Sequence, residues 1–139
     1  MTDEPRTAAR PEIHTILVVD DDPTIRSCVQ RMLERFGYRV LVARDGREAV
    51  SIFEDRHQEI GLVLLDLEMP ILDGHAALEA MRALDPDLRV LICSGTCTDH
   101  HRTALVDAGV HGFIDKPFDA AMLLREVARV LALAPPLSM

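Results

Sequence analysis

An α/β domain is predicted: a parallel sheet of five strands covered by helices on both faces, three layers in all. Three observations predict it. Five short apolar runs recur along the chain and alternate with helix-patterned stretches. The runs show no polar alternation, the mark of strands buried on both faces. Four of them end in polar or charged side chains, placed at the edge where open α/β sheets bind ligands.

In order, Ile16-Leu17-Val18-Val19 is the first strand and runs into Asp20-Asp21-Asp22. Pro23 suits the first turn of a helix, with Asp22 before it as N-cap. That helix carries Ile25, Cys28, Val29, Met32, Leu33 and Phe36 at i, i+3, i+4 spacing, and Gly37 stands where a C′ residue is expected. Val40-Leu41-Val42-Ala43 is the second strand, and Asp45-Gly46 turns the chain into a helix with Ala49, Val50, Ile52 and Phe53 on its apolar side. The third strand, Leu62-Val63-Leu64-Leu65, ends at Asp66, before Met69-Pro70 and Asp73-Gly74. A third helix presents Ala77, Leu78, Met81 and Leu84 and stops before Pro86.

The fourth strand runs over 88–93 to Ser94-Gly95. A short, weakly amphipathic helix from about residue 99 follows, ending at Ala108-Gly109. Gly112-Phe113-Ile114-Asp115 is the fifth strand, leading into Lys116-Pro117. The last helix covers roughly 119–133, with Leu123, Leu124, Val127 and Leu131 inward, and Pro135-Pro136 closes it. Residues 1–12 read as a flexible tail, 13–133 as the domain and 134–139 as a second tail.

The chain has 139 residues, enough for one domain with a substantial core. A net charge of -8 argues against direct nucleic-acid binding. No apolar run approaches the roughly 20 residues a membrane helix needs, and the polar amino terminus has no signal-peptide pattern. Three cysteines, odd in number and without CxxC spacing, fit a reduced, cytoplasmic compartment. Cys28 and Cys93 are expected in the core, and Cys97 in a loop at the active edge.

Parallel strands bring Asp20, Asp21, Asp66, Ser94 and Lys116 to one edge of the sheet. The result is a small anionic bowl with a hydroxyl and an ammonium at its rim. Two carboxylates about 4 Å apart repel by roughly 4 kcal/mol at an effective dielectric near 20, so one protonates unless a cation intervenes. Hard oxygen ligands with room for water and phosphate suit Mg²⁺. Lys116 and Ser94 are then placed to meet phosphoryl oxygens.

The runs Leu17-Val18-Val19-Asp20-Asp21-Asp22, Leu65-Asp66-Leu67-Glu68-Met69-Pro70-Ile71-Leu72-Asp73-Gly74, Ile92-Cys93-Ser94-Gly95 and Phe113-Ile114-Asp115-Lys116-Pro117-Phe118 resemble the receiver domain of two-component response regulators. The resemblance spans about residues 14–133 and keeps order and spacing throughout. It implies a flavodoxin-like, doubly wound (βα)5 sheet with strand order 2-1-3-4-5. It places the phosphoacceptor at Asp66, a direct Mg²⁺ carboxylate at Asp21, Asp20 acting through a metal-bound water, and a backbone carbonyl ligand at Glu68. Mn²⁺ is an expected substitute for Mg²⁺. The switch hydroxyl falls on Ser94, the state-reporting aromatic on Phe113 and the active-site cation on Lys116, whose bond to Pro117 is expected to be cis. Phe113 lacks the hydroxyl of the common tyrosine. Gly95 leaves space beside the phosphoryl site, and Glu68 and Thr96 occupy positions that tune the attacking water.

The implied partners are a sensor histidine kinase or histidine phosphotransfer protein and an unidentified downstream protein, with a monomer or weak dimer as the working form. A rival reading comes from Asp20-Asp21-Asp22-Pro23-Thr24, which also satisfies the Asp-x-Asp-x-Thr of haloacid-dehalogenase-like phosphatases, with Asp20 as nucleophile and Asp22 as acid/base. Asp66 and Met69-Pro70 stay unexplained there. A flavodoxin-like cofactor carrier lacks its phosphate loop, since three aspartates fill that position. Asp22 alone reads as a helix cap, and Asp45-Gly46 and Asp73-Gly74 as turn chemistry. The adjacent His100 and His101 point to different sides of a helix and read as solvent-exposed.

Overall fold

The structure, a computed structural model, describes residues 14–66, 74–95, 103, 105–107 and 109–133. Five parallel strands, β1 (Thr15–Val19), β2 (Arg39–Ala43), β3 (Ile60–Asp66), β4 (Val90–Ser94) and β5 (Gly112–Asp115), form one sheet in the order β2-β1-β3-β4-β5. Four helices are described in full: α1 (Pro23–Arg35), α2 (Gly46–Arg56), α3 (Gly74–Leu84) and α4 (Ala120–Leu131). Thr103, Leu105, Val106 and Asp107 are also helical and lie within the helix expected between β4 and β5. Both expected tails fall outside the described residues.

The period-2 geometry of a strand explains the layers. Leu17, Val19, Val63, Leu65 and Ile92 pack on one face against Phe53 of α2 and Ala77, Leu78 and Met81 of α3. Ile16, Val18, Leu62, Leu64 and Leu91 point the other way, against Val29 and Leu33 of α1 and Leu123, Val127 and Val130 of α4. A strand apolar at every position therefore feeds two cores. Burial of each such leucine or phenylalanine contributes about 1.5–3 kcal/mol.

Helix ends obey their local chemistry. Asp22 Oδ1 accepts from the amides of Thr24 and Ile25 at 2.8 and 3.4 Å, with Pro23 at N1. At the far end Gly37 has φ +94°, the Gly37 amide donates to the Glu34 carbonyl and the Tyr38 amide to that of Leu33. That pairing is a Schellman closure. Asp45, expected as turn chemistry, is the N-cap of α2 and accepts from the Glu48 amide at 2.8 Å, while Glu48 accepts from the Arg44 amide at 2.7 Å.

Three core expectations are corrected. Cys28 is exposed, Phe36 is 66% exposed, and Leu84, at the end of α3, is 41% exposed. The periodicity of α1 locates its apolar stripe, but only Val29 and Leu33 at its centre are buried. Cys28 lies to one side, and Phe36 is the C-cap, where the chain already leaves the helical path.

Among the described residues a Cβ on Gly37 meets nothing within 4 Å. Gly37→Ala is therefore expected to cost about 1–2 kcal/mol from the left-handed backbone alone. Urea unfolding checks this as a lower midpoint with an unchanged m-value.

Candidate functional site

The sheet ladder itself delivers the site residues. Asp66 is the last residue of β3, the central strand, and pairs with Cys93. The Asp20 amide extends the ladder one step beyond β1 by donating to the Ala43 carbonyl at 3.1 Å. Ser94 ends β4, and its carbonyl accepts from the Lys116 amide at 3.1 Å. Asp20, Asp21, Asp66, Ser94 and Lys116 thus converge on the carboxyl edge, as the sequence predicts.

Asp20 and Asp66 are 3% and 2% exposed, whereas Asp21 faces solvent. One carboxylate oxygen from each lies within 4.8 Å of the other two. The Lys116 ammonium sits 3.0 Å from Asp20 Oδ2 and 3.4 Å from Asp66 Oδ2. Asp20 Oδ1 accepts from the Asp22 amide at 2.9 Å, so both oxygens of Asp20 are engaged. Three carboxylates against one ammonium leave the pocket electronegative. Burial alone would lower the Lys116 pKa, but the hydrogen bond to Asp20 and the charges of Asp66 and Asp20 outweigh it and hold the ammonium above its ordinary range. Lys116 is the only lysine in the chain. Its compact charge reaches both carboxylates, where a planar guanidinium would favour bidentate pairing with one.

The surroundings are consistent with this division of labour. Cys93 is buried beside Asp66, and burial first, then the neighbouring acids, push its thiol up to about 12. It packs as a neutral group, as expected. Ser94 is 4% exposed, and Phe113, opposite Ile92, is half-buried against the core that includes Leu105. The Lys116-Pro117 peptide is cis. Among the described residues a Cβ on Gly95 would meet only the Lys116 Cβ, at 3.9 Å. An apolar groove lined by Ile25, Cys28, Met32 and Phe118 opens next to Lys116. Glu68, Met69, Pro70, Asp73, Thr96, Cys97, His100 and His101 lie outside the described residues.

One contact was not foreseen. Arg26 Nη1 donates to the Asp20 carbonyl at 2.8 Å. The available signal was an arginine in the opening turns of a helix, four residues after Asp22. The phosphatase reading loses its acid/base, because the Asp22 carboxylate is committed to capping α1.

The family model described as the response regulator receiver domain matches residues 16–128. The chain belongs to this family. The transcriptional regulatory protein PrrA of Mycobacterium tuberculosis is 40% identical over 119 residues, covering 85% of this chain and 48% of that protein. The chain thus spans about half the length of the curated relatives it matches. The non-phosphorylated HemR receiver domain of Leptospira biflexa is 30% identical with a TM-score of 0.83, over 90% of this chain and 99% of that one. A receiver domain of a Pseudomonas aeruginosa sensor histidine kinase, solved with magnesium coordinated in its active-site cleft, is 29% identical with a TM-score of 0.76, over 86% of this receiver and 98% of that chain. Among the described residues of this receiver, no helix is long and apolar enough to cross a membrane.

The receiver's three carboxylates are hard oxygen donors at a spacing that fits Mg²⁺. In metal-free buffer Lys116→Met is expected to destabilise the fold by about 2 kcal/mol. That is less than the roughly 3–5 kcal/mol of a fully buried pair, since the Lys116 side chain is 19% exposed. The raised ammonium pKa fixes the pH window: its stabilisation is complete below the unfolded value near about 10.4 and is lost as pH rises through the higher folded value. Denaturation of both proteins across alkaline pH checks this as a gap that closes upward.

Proposed function

We propose that this receiver is a phosphoacceptor switch in a two-component or phosphorelay pathway, taking a phosphoryl group from a phosphohistidine onto Asp66. The observation that carries the reading is the Lys116 ammonium held between two buried carboxylates, Asp20 and Asp66, with Asp21 alongside at the carboxyl edge.

In this mechanism an Asp66 carboxylate oxygen attacks phosphorus as the P–N bond to the donor histidine breaks, the bonding pair returning to the imidazole. Lys116 stays against Asp20 and turns its remaining protons to the phosphoryl oxygens. The Asp20 oxygens are already taken by Lys116 and the Asp22 amide, which favours an indirect role through a metal-bound water. Asp21, exposed and facing the same space, is the direct ligand, with Asp66 and the Glu68 carbonyl completing the protein's share. A bound Mg²⁺, for which Mn²⁺ substitutes as another oxygen-seeking ion, supplies neutralisation of the pocket and of the transferred group. The chain acts on itself in this chemistry and is no turnover enzyme.

The acyl phosphate then stabilises a second conformation. Ser94 closes on a phosphoryl oxygen and Phe113 follows, repacking against the core around Leu105. Moving from 1:99 to 99:1 needs about 5.5 kcal/mol of differential stabilisation. Charge-assisted bonds to Lys116 and Ser94, with the metal, are of the right order. The donor is a sensor histidine kinase or phosphotransfer protein. The apolar groove beside Lys116 is a surface that suits its docking. The output is read by a partner protein in the cytoplasm, with the receiver a monomer or weak dimer.

Incubation with Mg²⁺ and acetyl phosphate is expected to add one labile phosphoryl group to the wild-type protein, seen by intact mass, and none to Asp66→Asn. Phosphorylation of Asp66→Asn at the wild-type rate would sink the proposal. Beryllofluoride binding should require both Asp66 and Mg²⁺.

A further inference from the structure

We propose that Arg26 is a positioning residue for the acidic turn: by holding the Asp20 carbonyl, it aims the Asp21 carboxylate at the divalent cation. The inference rests on the receiver reading and concerns the same pocket.

Asp21 is exposed, and among the described residues its carboxylate has no hydrogen-bond partner. Its direction therefore comes from its backbone. The peptide group between Asp20 and Asp21 is the last hinge before that side chain. On the strand side, the Asp20 amide is tied to the Ala43 carbonyl at 3.1 Å. On the far side, the Asp20 carbonyl receives Arg26 Nη1 at 2.8 Å. The Asp20 amide fixes the preceding peptide, so the group of the Asp20–Asp21 plane that a side chain holds is the Asp20 carbonyl; in this arrangement an Asp21 carboxylate oxygen lies within 4.8 Å of one each from Asp20 and Asp66. Without the guanidinium, water replaces it at the carbonyl, and the turn is left to the Asp22 amide bond to Asp20 Oδ1 at 2.9 Å.

A second, independent observation points the same way. Arg26 stands where α1 begins, its amide making the first intrahelical bond, to the Asp22 carbonyl at 2.9 Å. The first turn of α1 holds no acidic residue, so the one carboxylate of the helix itself at this end is that of the N-cap, Asp22. A cation near the positive end of a helix dipole is unfavourable. Such a local conflict is expected at functional sites, where a compensating contact retains it. Here the compensation is the Asp20 carbonyl.

Two roles for Arg26 make opposite demands on Mg²⁺ affinity. A cation that only sits at the rim repels Mg²⁺, so its removal tightens binding. A positioning residue orients a ligand, so its removal weakens binding despite the lost charge. Calorimetric titration of the wild-type, Arg26→Met and Arg26→Lys proteins with Mg²⁺ separates them. Arg26→Met is expected to bind about 10-fold more weakly, at the low end of the roughly 10–100-fold typical of groups behind a metal ligand. Arg26→Lys, keeping the charge but not the guanidinium's geometry, is expected to fall between. Thermal midpoints in chelator check that each variant is folded. If Arg26→Met fails to fold, Arg26→Lys decides: weakened binding supports positioning and unchanged binding overturns it. Equal or tighter binding by a folded Arg26→Met overturns it directly. If the wild-type protein itself binds no Mg²⁺, the receiver reading fails and this inference goes with it.

Discussion

The structure depends most on one ion-pair arrangement: the Lys116 ammonium shared between Asp20 and Asp66, two carboxylates with almost no access to water. Buried carboxylates are tolerated only when paired or hydrogen-bonded. Asp20 has two partners, and Lys116 serves both acids from a third strand end. The arrangement ties β1, β3 and the segment after β5 together across the sheet edge. It also leaves the pocket short of positive charge. A fully neutralised cluster would gain little from a cation, whereas this one gains from it.

That arrangement exists because the strands are parallel. Parallel pairing forces every strand to end on the same edge, so side chains distant in sequence become neighbours without any loop having to carry them. Lys116 and Asp20 are 96 residues apart and meet at 3.0 Å. Each site residue is either the last residue of a strand or within two of it, and the ladder continues into the site through the Asp20 and Lys116 amides. The rigid part of the pocket is thus built on the sheet. Asp21 is the exception, since it lies beyond the last ladder bond, and its placement is left to contacts from α1.

The legible parts of the sequence were those governed by burial on both faces. Runs such as Leu62-Val63-Leu64-Leu65 have only one stable environment, and their order implies the crossovers and therefore the shared edge. Asp66 and Lys116 could be read as site residues because a charge directly after such a run has nowhere else to go. The exposure of Cys28 and Phe36 was not legible, because periodicity locates the centre of a buried stripe and not its width. Nor was the Arg26 contact. It spans six residues and depends on how sharply the chain turns out of β1 into α1, which the strand and helix patterns on either side do not encode.

The two ends of the sheet carry opposite electrostatic tasks. At the carboxyl edge the helices begin, and aspartates cap them: Asp22 on α1, Asp45 on α2 and Asp119 on α4. At the other edge the helices end with carbonyls in need of donors, and arginines supply them. Arg82 Nη2 donates to the Gly109 carbonyl at 3.0 Å, Arg129 Nη2 to that of His111 at 2.9 Å, and Arg89 to that of Leu133. Burial first, then these three guanidinium groups, lower the His111 pKa, which keeps its Nδ1 free to accept from the Val90 amide at 3.2 Å. Arg26 is a guanidinium at the carboxyl edge, in the opening turns of its helix. Its partner is of the same kind as theirs, a backbone carbonyl. The difference lies in what that carbonyl controls: elsewhere it closes a helix or strand, and here it belongs to the peptide that sets the direction of Asp21.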